Sequence, residues 1–78
     1  MAKHREIVIP EFGTRLKKAI RKSYMTQQQL ADYIGCSRDT VVKWCNDYFY
    51  PQGDMLKSIC VALNVSADYL LELSDDMR

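Results

Sequence analysis

Thr26-Gln27-Gln28-Gln29-Leu30-Ala31-Asp32-Tyr33-Ile34-Gly35-Cys36-Ser37-Arg38-Asp39-Thr40-Val41-Val42-Lys43-Trp44-Cys45-Asn46 reads as two short helices meeting at one glycine. Thr26 with Gln29 three residues later has the pattern of a capping box, in which each side chain satisfies the other residue's backbone N–H. Leu30, Ala31 and Ile34 then share one apolar stripe, with Gln28, Asp32 and Tyr33 off it. Ala31 is small enough to let a second helix cross close above. Gly35 follows the last apolar residue, where a helix commonly ends in a left-handed conformation that glycine adopts without strain. Ser37 caps the helix that follows.

At about 100° per residue, that next helix turns Val41 and Trp44 to one side, with Thr40 between their edges. The opposite arc carries Arg38, Asp39, Val42, Lys43 and Asn46. These groups can read base edges: Arg or Lys at guanine, a carboxylate at cytosine, an apolar group at the thymine methyl. A polar helix face is more often simply solvated. Here it belongs to the second helix of a helix-turn-helix, the element that enters the major groove in that design.

Gln27 with Leu30-Ala31, then Gly35, Ser37-Arg38, Thr40-Val41 and Trp44, are followed by Pro51, by Ala62-Leu63-Asn64-Val65-Ser66 and by Asp68-Tyr69-Leu70. Together they resemble the lambda-repressor-like (XRE, Cro/repressor) helix-turn-helix family over about residues 12–73. The resemblance implies an all-α fold of five helices with the third as recognition helix. It also implies binding to double-stranded operator DNA, commonly as a homodimer. Carried over by position, Gln27 would hold a phosphate at the start of the second helix. Arg38, Asp39, Val42 and Lys43 would face bases, and Thr40 and Asn46 would lie near the DNA backbone; Gln28, Ser37 and the Tyr48 hydroxyl are further candidates for backbone contacts, read from their donor groups.

Seventy-eight residues allow one small domain. The organisation read from the chain is an arm over 1–9, a helical domain over 10–73 with its helix-turn-helix at 26–46, and an acidic tail over 74–78 expected to lack fixed structure. With 47% hydrophobic and 27% charged residues the composition is that of a globular protein, without a run long enough to span a membrane and without a signal peptide. Cys36, Cys45 and Cys60 are an odd number without Cys-x-x-Cys spacing, and His4 is the only histidine. That pattern argues against a metal site or disulfide framework and for a reducing cytoplasm, where DNA binding would place the protein at the nucleoid. Cys60 is expected in the core, Cys36 and Cys45 outside it. Neither a cofactor nor catalysis is expected, because there is no glycine-rich phosphate loop, no nucleophile with a base and no suitably spaced carboxylate pair.

The net charge of +1 hides a polar distribution. Residues 1–25 carry seven Lys/Arg (Lys3, Arg5, Arg15, Lys17, Lys18, Arg21, Lys22) against Glu6 and Glu11. Residues 26–46 balance, and residues 47–78 carry Lys57 and Arg78 against six carboxylates. A nucleic-acid reading needs the positive half to face phosphate, whereas Lys17 and Lys18 also read as ordinary solubilising charges.

Within residues 1–9, Lys3 and Arg5 belong either to a frayed terminus or, as in some members of the family, to an arm reaching around the duplex. Ile7-Val8-Ile9 either covers the domain or pairs with a second chain. Pro10 suits the first turn of the first helix, whose inner face is Phe12, Leu16, Ala19 and Ile20. Two departures from the family stand out. Tyr24 occupies a turn where glycine is frequent, and a left-handed tyrosine would cost roughly 1 kcal/mol or more, which predicts a turn built differently. Asp47-Tyr48-Phe49-Tyr50 replaces a glycine and basic residues, which weakens phosphate gripping; Phe49 is expected inward and Tyr48 outward. The three rings suit a protein partner as well as a sugar edge.

Asp54 is expected to cap the fourth helix, with Met55, Leu56, Ile59, Cys60 and Leu63 inward and Lys57, Ser58 and Val61 outward. Ser66 caps the fifth, where Leu71 or Leu73 is available to a second copy. The reading is a DNA-binding regulator, most simply a repressor of prokaryotic, phage or mobile-element type. It is either a minimal regulator or the DNA-binding part of a longer one. The alternatives are an interaction module of the same fold and an antitoxin that binds both DNA and a toxin.

Overall fold

The computed structural model describes residues 9–78, which leaves Lys3, Arg5, Ile7 and Val8 of the expected arm outside the described residues. The five helices are α1 (Phe12–Lys22), α2 (Gln27–Ile34), α3 (Arg38–Cys45), α4 (Gly53–Leu63) and α5 (Ala67–Leu70), with no strand among the described residues. Helix α3 packs on α2 and α1, α4 on α2, and α5 on α1 and α4. Their shared core is Phe12, Leu16 and Ala19 of α1, Leu30 and Ala31 of α2, Val41 and Trp44 of α3, Ile59 of α4 and Leu70 of α5. Each is an inward member of a three-and-four stripe, and close packing of these stripes is the main apolar contribution to a domain this small. Ala31 is fully buried, as a close α2–α3 crossing requires.

Local signals set the helix-turn-helix. Thr26 Oγ1 accepts from Gln29 N at 3.0 Å and Gln29 Oε1 accepts from Thr26 N at 2.8 Å, completing the capping box. Gly35 ends α2 at φ 81°, and Ser37 Oγ accepts from Thr40 N at 3.2 Å to start α3. Ser66 Oγ likewise starts α5 by accepting from Tyr69 N at 3.0 Å.

The other helix ends differ from the sequence expectations. Tyr24 is left-handed at φ 58° after all. Tyr24 N donates to Arg21 O at 3.1 Å and Met25 N to Ile20 O at 3.3 Å, the paired bonds of a Schellman ending. Met25 packs against the core while the Tyr24 ring is 95% exposed, so hydrogen bonds and burial around it offset the strain of the tyrosine backbone. Asp47, Asn64 and Glu72 also have positive φ, so all five helices stop at a left-handed residue and only one of the five is glycine.

Asp54 is not the cap of α4. The chain enters that helix from Gln52 in extended conformation, which makes Asp54 the second helical residue. Its carboxylate accepts from Met55 N at 2.8 Å and still complements the helix dipole. The cysteines also sort differently: Cys45 is buried, while Cys36 and Cys60 are half-buried at the edge of the core. Val41, Trp44 and Cys45 form one three-and-four stripe, which turns the thiol inward.

The acidic tail is docked, against expectation. Ser66 N donates to Met77 O at 2.8 Å, and Met77 packs on the core. Arg15 Nη1 donates to Tyr69 O and Ser74 O, both at 2.7 Å, and Nη2 pairs with Asp75 at 3.1 Å. The guanidinium also lies 4.7 Å from the centroid of the Tyr69 ring. Arg15 is therefore committed to the C-terminal segment and drops out of the cationic face.

Candidate nucleic-acid interface

Burial of Val41, Trp44 and Cys45 fixes which arc of α3 faces out. Arg38, Asp39 and Asn46 are exposed there, and Val42 and Lys43 are half-buried. Lys43 Nζ and Asp39 Oδ2 lie 3.1 Å apart as an i,i+4 pair. Such a pair in water is worth about 0.3–0.5 kcal/mol, so either group is free to exchange it for a stronger partner. Among the described residues, the outer arc thus offers one unengaged guanidinium, one carboxylate, one ammonium and a branched apolar patch.

The expected backbone-contact residues separate into engaged and unengaged groups. Ser37 Oγ is occupied as the cap and lies 3.0 Å from Thr40 Oγ1, and Gln28 Nε2 donates to Asp32 Oδ1 at 2.9 Å. Gln27, the first residue of α2, is half-buried beside the Cys45 thiol. Burial pushes that thiol up to about 11, while the charge of Lys17 and a hydrogen bond with Gln27 act against burial and the Asp47 carboxylate adds to it. Lys17, Gln27, Cys45 and Asp47 therefore occupy one neighbourhood, where α1, the start of α2 and the end of α3 meet. Lys17 is an exposed cation whose charge is felt at the Cys45 thiol, a link that its place in a run of basic residues did not single out.

After α3 the chain turns through Asp47 at φ 62°, with Asp47 N bonded to Trp44 O and Tyr48 N to Lys43 O. Tyr48 points outward and is 73% exposed, as expected; Phe49 does not turn inward and is 47% exposed. Tyr50 is the anchored ring instead, at 37% exposure. It meets Phe12 edge-on with centroids 5.4 Å apart, and its hydroxyl exchanges hydrogen bonds with Ile9 N at 3.1 Å and Ile9 O at 3.3 Å. Ile9 thereby covers the domain, and Tyr50 lies against Phe12 at the surface, tied to Ile9 through its hydroxyl.

The start of α1 carries two features that inspection of the sequence passed over. Its cap residue Glu11 makes no side-chain cap bond. Two backbone donors there are met from afar: Gly13 N donates to Asp47 Oδ1 at 2.9 Å, and Glu11 N to Glu72 Oε2 at 2.6 Å. Gly13 itself has no room for a side chain, since a Cβ would lie 2.1 Å from Cys45 O. A glycine this early in a helix is the signal that could have revealed the close approach.

Comparison with known proteins adds the following. The family profile described as Helix-turn-helix matches residues 16–70. The HTH-type transcriptional regulator ImmR of Bacillus subtilis (strain 168) is 36% identical over 59 residues, covering 76% of this chain and 46% of that protein. The HTH-type transcriptional activator BcrR of Enterococcus faecalis is 34% identical over 61 residues, covering 78% of this chain and 30% of that protein. The chain thus spans less than half the length of these two relatives. Among solved structures, the P22 c2 repressor in complex with synthetic operator 9T superposes with a TM-score of 0.76 at 28% identity, over 81% of this chain and 96% of that one. The solution structure of the DNA-binding domain of the P22 c2 repressor gives a TM-score of 0.75 at 28% identity, over 88% and 93% of the two chains.

Proposed function

Because the chain belongs to the lambda-repressor-like helix-turn-helix family, we propose that it is a sequence-specific DNA-binding transcriptional regulator, a repressor in the simplest case, that lays α3 in the major groove. The observation that carries this reading is the outer arc of α3, where Arg38, Asp39, Val42 and Lys43 project together from a helix whose other side is buried. Arg38 and Lys43 are donors for guanine, Asp39 an acceptor for cytosine amino groups, and Val42 an apolar contact for a thymine methyl. Gln27 at the start of α2 holds a phosphate, with Lys17 as a nearby cationic candidate, and Thr40, Asn46 and the Tyr48 hydroxyl lie along the backbone. Ser37 keeps its cap while its O–H turns toward phosphate if Thr40 donates to it, and Gln28 has a second amide N–H besides the one on Asp32. The matched P22 c2 repressor was solved on an operator, which supports a duplex as the partner here.

Two copies bind two half-sites about one helical turn, roughly 34 Å, apart. Exposed Leu73 and half-buried Leu71 at the end of α5 are the apolar groups available to that contact. Selection of bound duplexes from a random pool at about 0.1 M salt, repeated at higher salt, tests the reading. It predicts an enriched inverted repeat. A second reading keeps the fold but uses exposed Tyr48 and Phe49 as anchors for a protein partner. A folded protein that enriches no duplex favours that reading.

A further inference from the structure

We infer that Asp47 is a positioning residue for base recognition: bound to the Gly13 amide, its carboxylate latches the far end of α3 to the start of α1 and so sets the angle at which α3 meets DNA. The inference rests on the DNA-binding reading above and adds what fixes its geometry.

Three observations converge on the latch. The first is the bond itself, Gly13 N to Asp47 Oδ1 at 2.9 Å, which joins residues 34 apart in the chain. The second is the backbone beneath it: Asp47 is held at φ 62°, and its turn already closes through Asp47 N to Trp44 O and Tyr48 N to Lys43 O. A glycine would make that turn without strain, so the carboxylate is what aspartate adds there. The third is the missing side chain at Gly13, whose Cβ would meet Cys45 O at 2.1 Å and Asp47 Oδ2 at 3.0 Å. The two helix ends thus lie backbone against backbone, with the carboxylate tying them and filling an unpaired donor at the start of α1.

The start of α3 is fixed separately, by the Gly35 turn and the Ser37 cap. Packing of Trp44 and Cys45 holds the far end in the core, and the latch is what ties it to α1 by a hydrogen bond, so losing it leaves that end the freer of the two to tilt. Eight residues span about 12 Å, so a swing of about 10° moves the far end by about 2 Å, Val42 by about 1 Å and Arg38 hardly at all. Hydrogen bonds and methyl contacts tolerate a few tenths of an ångström, so the consequence is graded along the helix. Base preferences read by Val42 and Lys43 relax, whereas the preference read by Arg38 stays.

The experiment uses the full chain as wild type, Asp47→Gly and Asp47→Asn. Glycine keeps the turn and loses the latch. Asparagine tolerates the left-handed backbone and keeps an acceptor for Gly13 N, so it is the rescuing variant. Affinities are measured on the selected duplex and on a panel with each base pair replaced in turn, below the melting temperature of every variant. The expected result for Asp47→Gly is about tenfold loss of discrimination at the positions facing Val42 and Lys43, less than twofold at the position facing Arg38, and wild-type discrimination in Asp47→Asn. Equal loss at all positions, or none, overturns the latch. Residual dipolar couplings of the DNA-free protein give an independent readout. They are expected to show α3 reoriented relative to α1 in Asp47→Gly but not in Asp47→Asn, and an unchanged orientation overturns the latch whatever the DNA result. A wild type that enriches no duplex overturns the DNA reading and the specificity role together. It is told apart from failure of the latch alone, in which the wild type enriches a site that Asp47→Gly reads equally well.

Discussion

The helix-turn-helix and the start of α1 are built by opposite means. Between Thr26 and Asn46 every bond that starts or stops a helix joins residues within five of one another: the Thr26–Gln29 box, the Gly35 turn, the Ser37 cap. The start of α1 takes its caps from Asp47 and Glu72, 34 and 61 residues away, and the C-terminal tail is held by Arg15 across about 60 residues. One region carries its start and stop signals in its own sequence. The other exists only once the chain has folded, and it ties the end of α3 to the start of α1.

Substitution of the two structural glycines separates these cases most sharply. Gly13→Ala places a methyl group where Cys45 O already lies, and should cost about 3 kcal/mol or more in chemical denaturation, by overpacking two backbones that cannot both stay. Arg15→Ala comes next, at about 2 kcal/mol for two carbonyl bonds and the stacked guanidinium. The pairing with the fully solvated Asp75 adds little to that. It should also release the tail, visible as faster amide exchange at Ser66, whose N–H is bonded to Met77 O. Arg15→Lys should not restore protection, because an ammonium cannot reproduce the forked contact.

The local region should respond more mildly. Gly35→Ala meets no atom within 4 Å and should cost only the strain of a left-handed alanine, about 1 kcal/mol. Equal destabilisation by Gly13→Ala and Gly35→Ala would break the comparison. Thr26→Ala should cost about 1 kcal/mol through loss of its cap, measured by the same unfolding curves. Tyr24→Gly is the smallest change. Its ring touches little and its backbone is strained, so a shift within about 1 kcal/mol, on the stabilising side, is expected in thermal melts.

The same division explains what could be read before folding. The five helices, the inward faces of α1 to α4, Gly35, and the Thr26, Ser37 and Ser66 caps follow from spacing and side-chain chemistry within a few residues. The left-handed Tyr24, Asp47 and Glu72 do not, because what makes each acceptable is a bond or a burial supplied by the folded chain. Tyr50 rather than Phe49 is the ring tied to the domain for the same reason: its hydroxyl meets Ile9, 41 residues earlier. The docking of the acidic tail was hidden likewise, since its partners are Arg15 and the α4–α5 turn. Cys45 is different, because the stripe of Val41, Trp44 and Cys45 was present in the sequence and marks the thiol as core. The outward residues of α3 were legible from the same periodicity.

The central claim is that the outer arc of α3 reads base pairs individually. Its most direct test is the affinity of wild type and Arg38→Ala for a panel of duplexes in which each base pair of the selected site is replaced in turn. The account predicts a loss of about 1–3 kcal/mol for Arg38→Ala on the intact site and the disappearance of preference at one position, with the others kept. A loss spread equally over every duplex would make Arg38 a phosphate contact and contradict the claim.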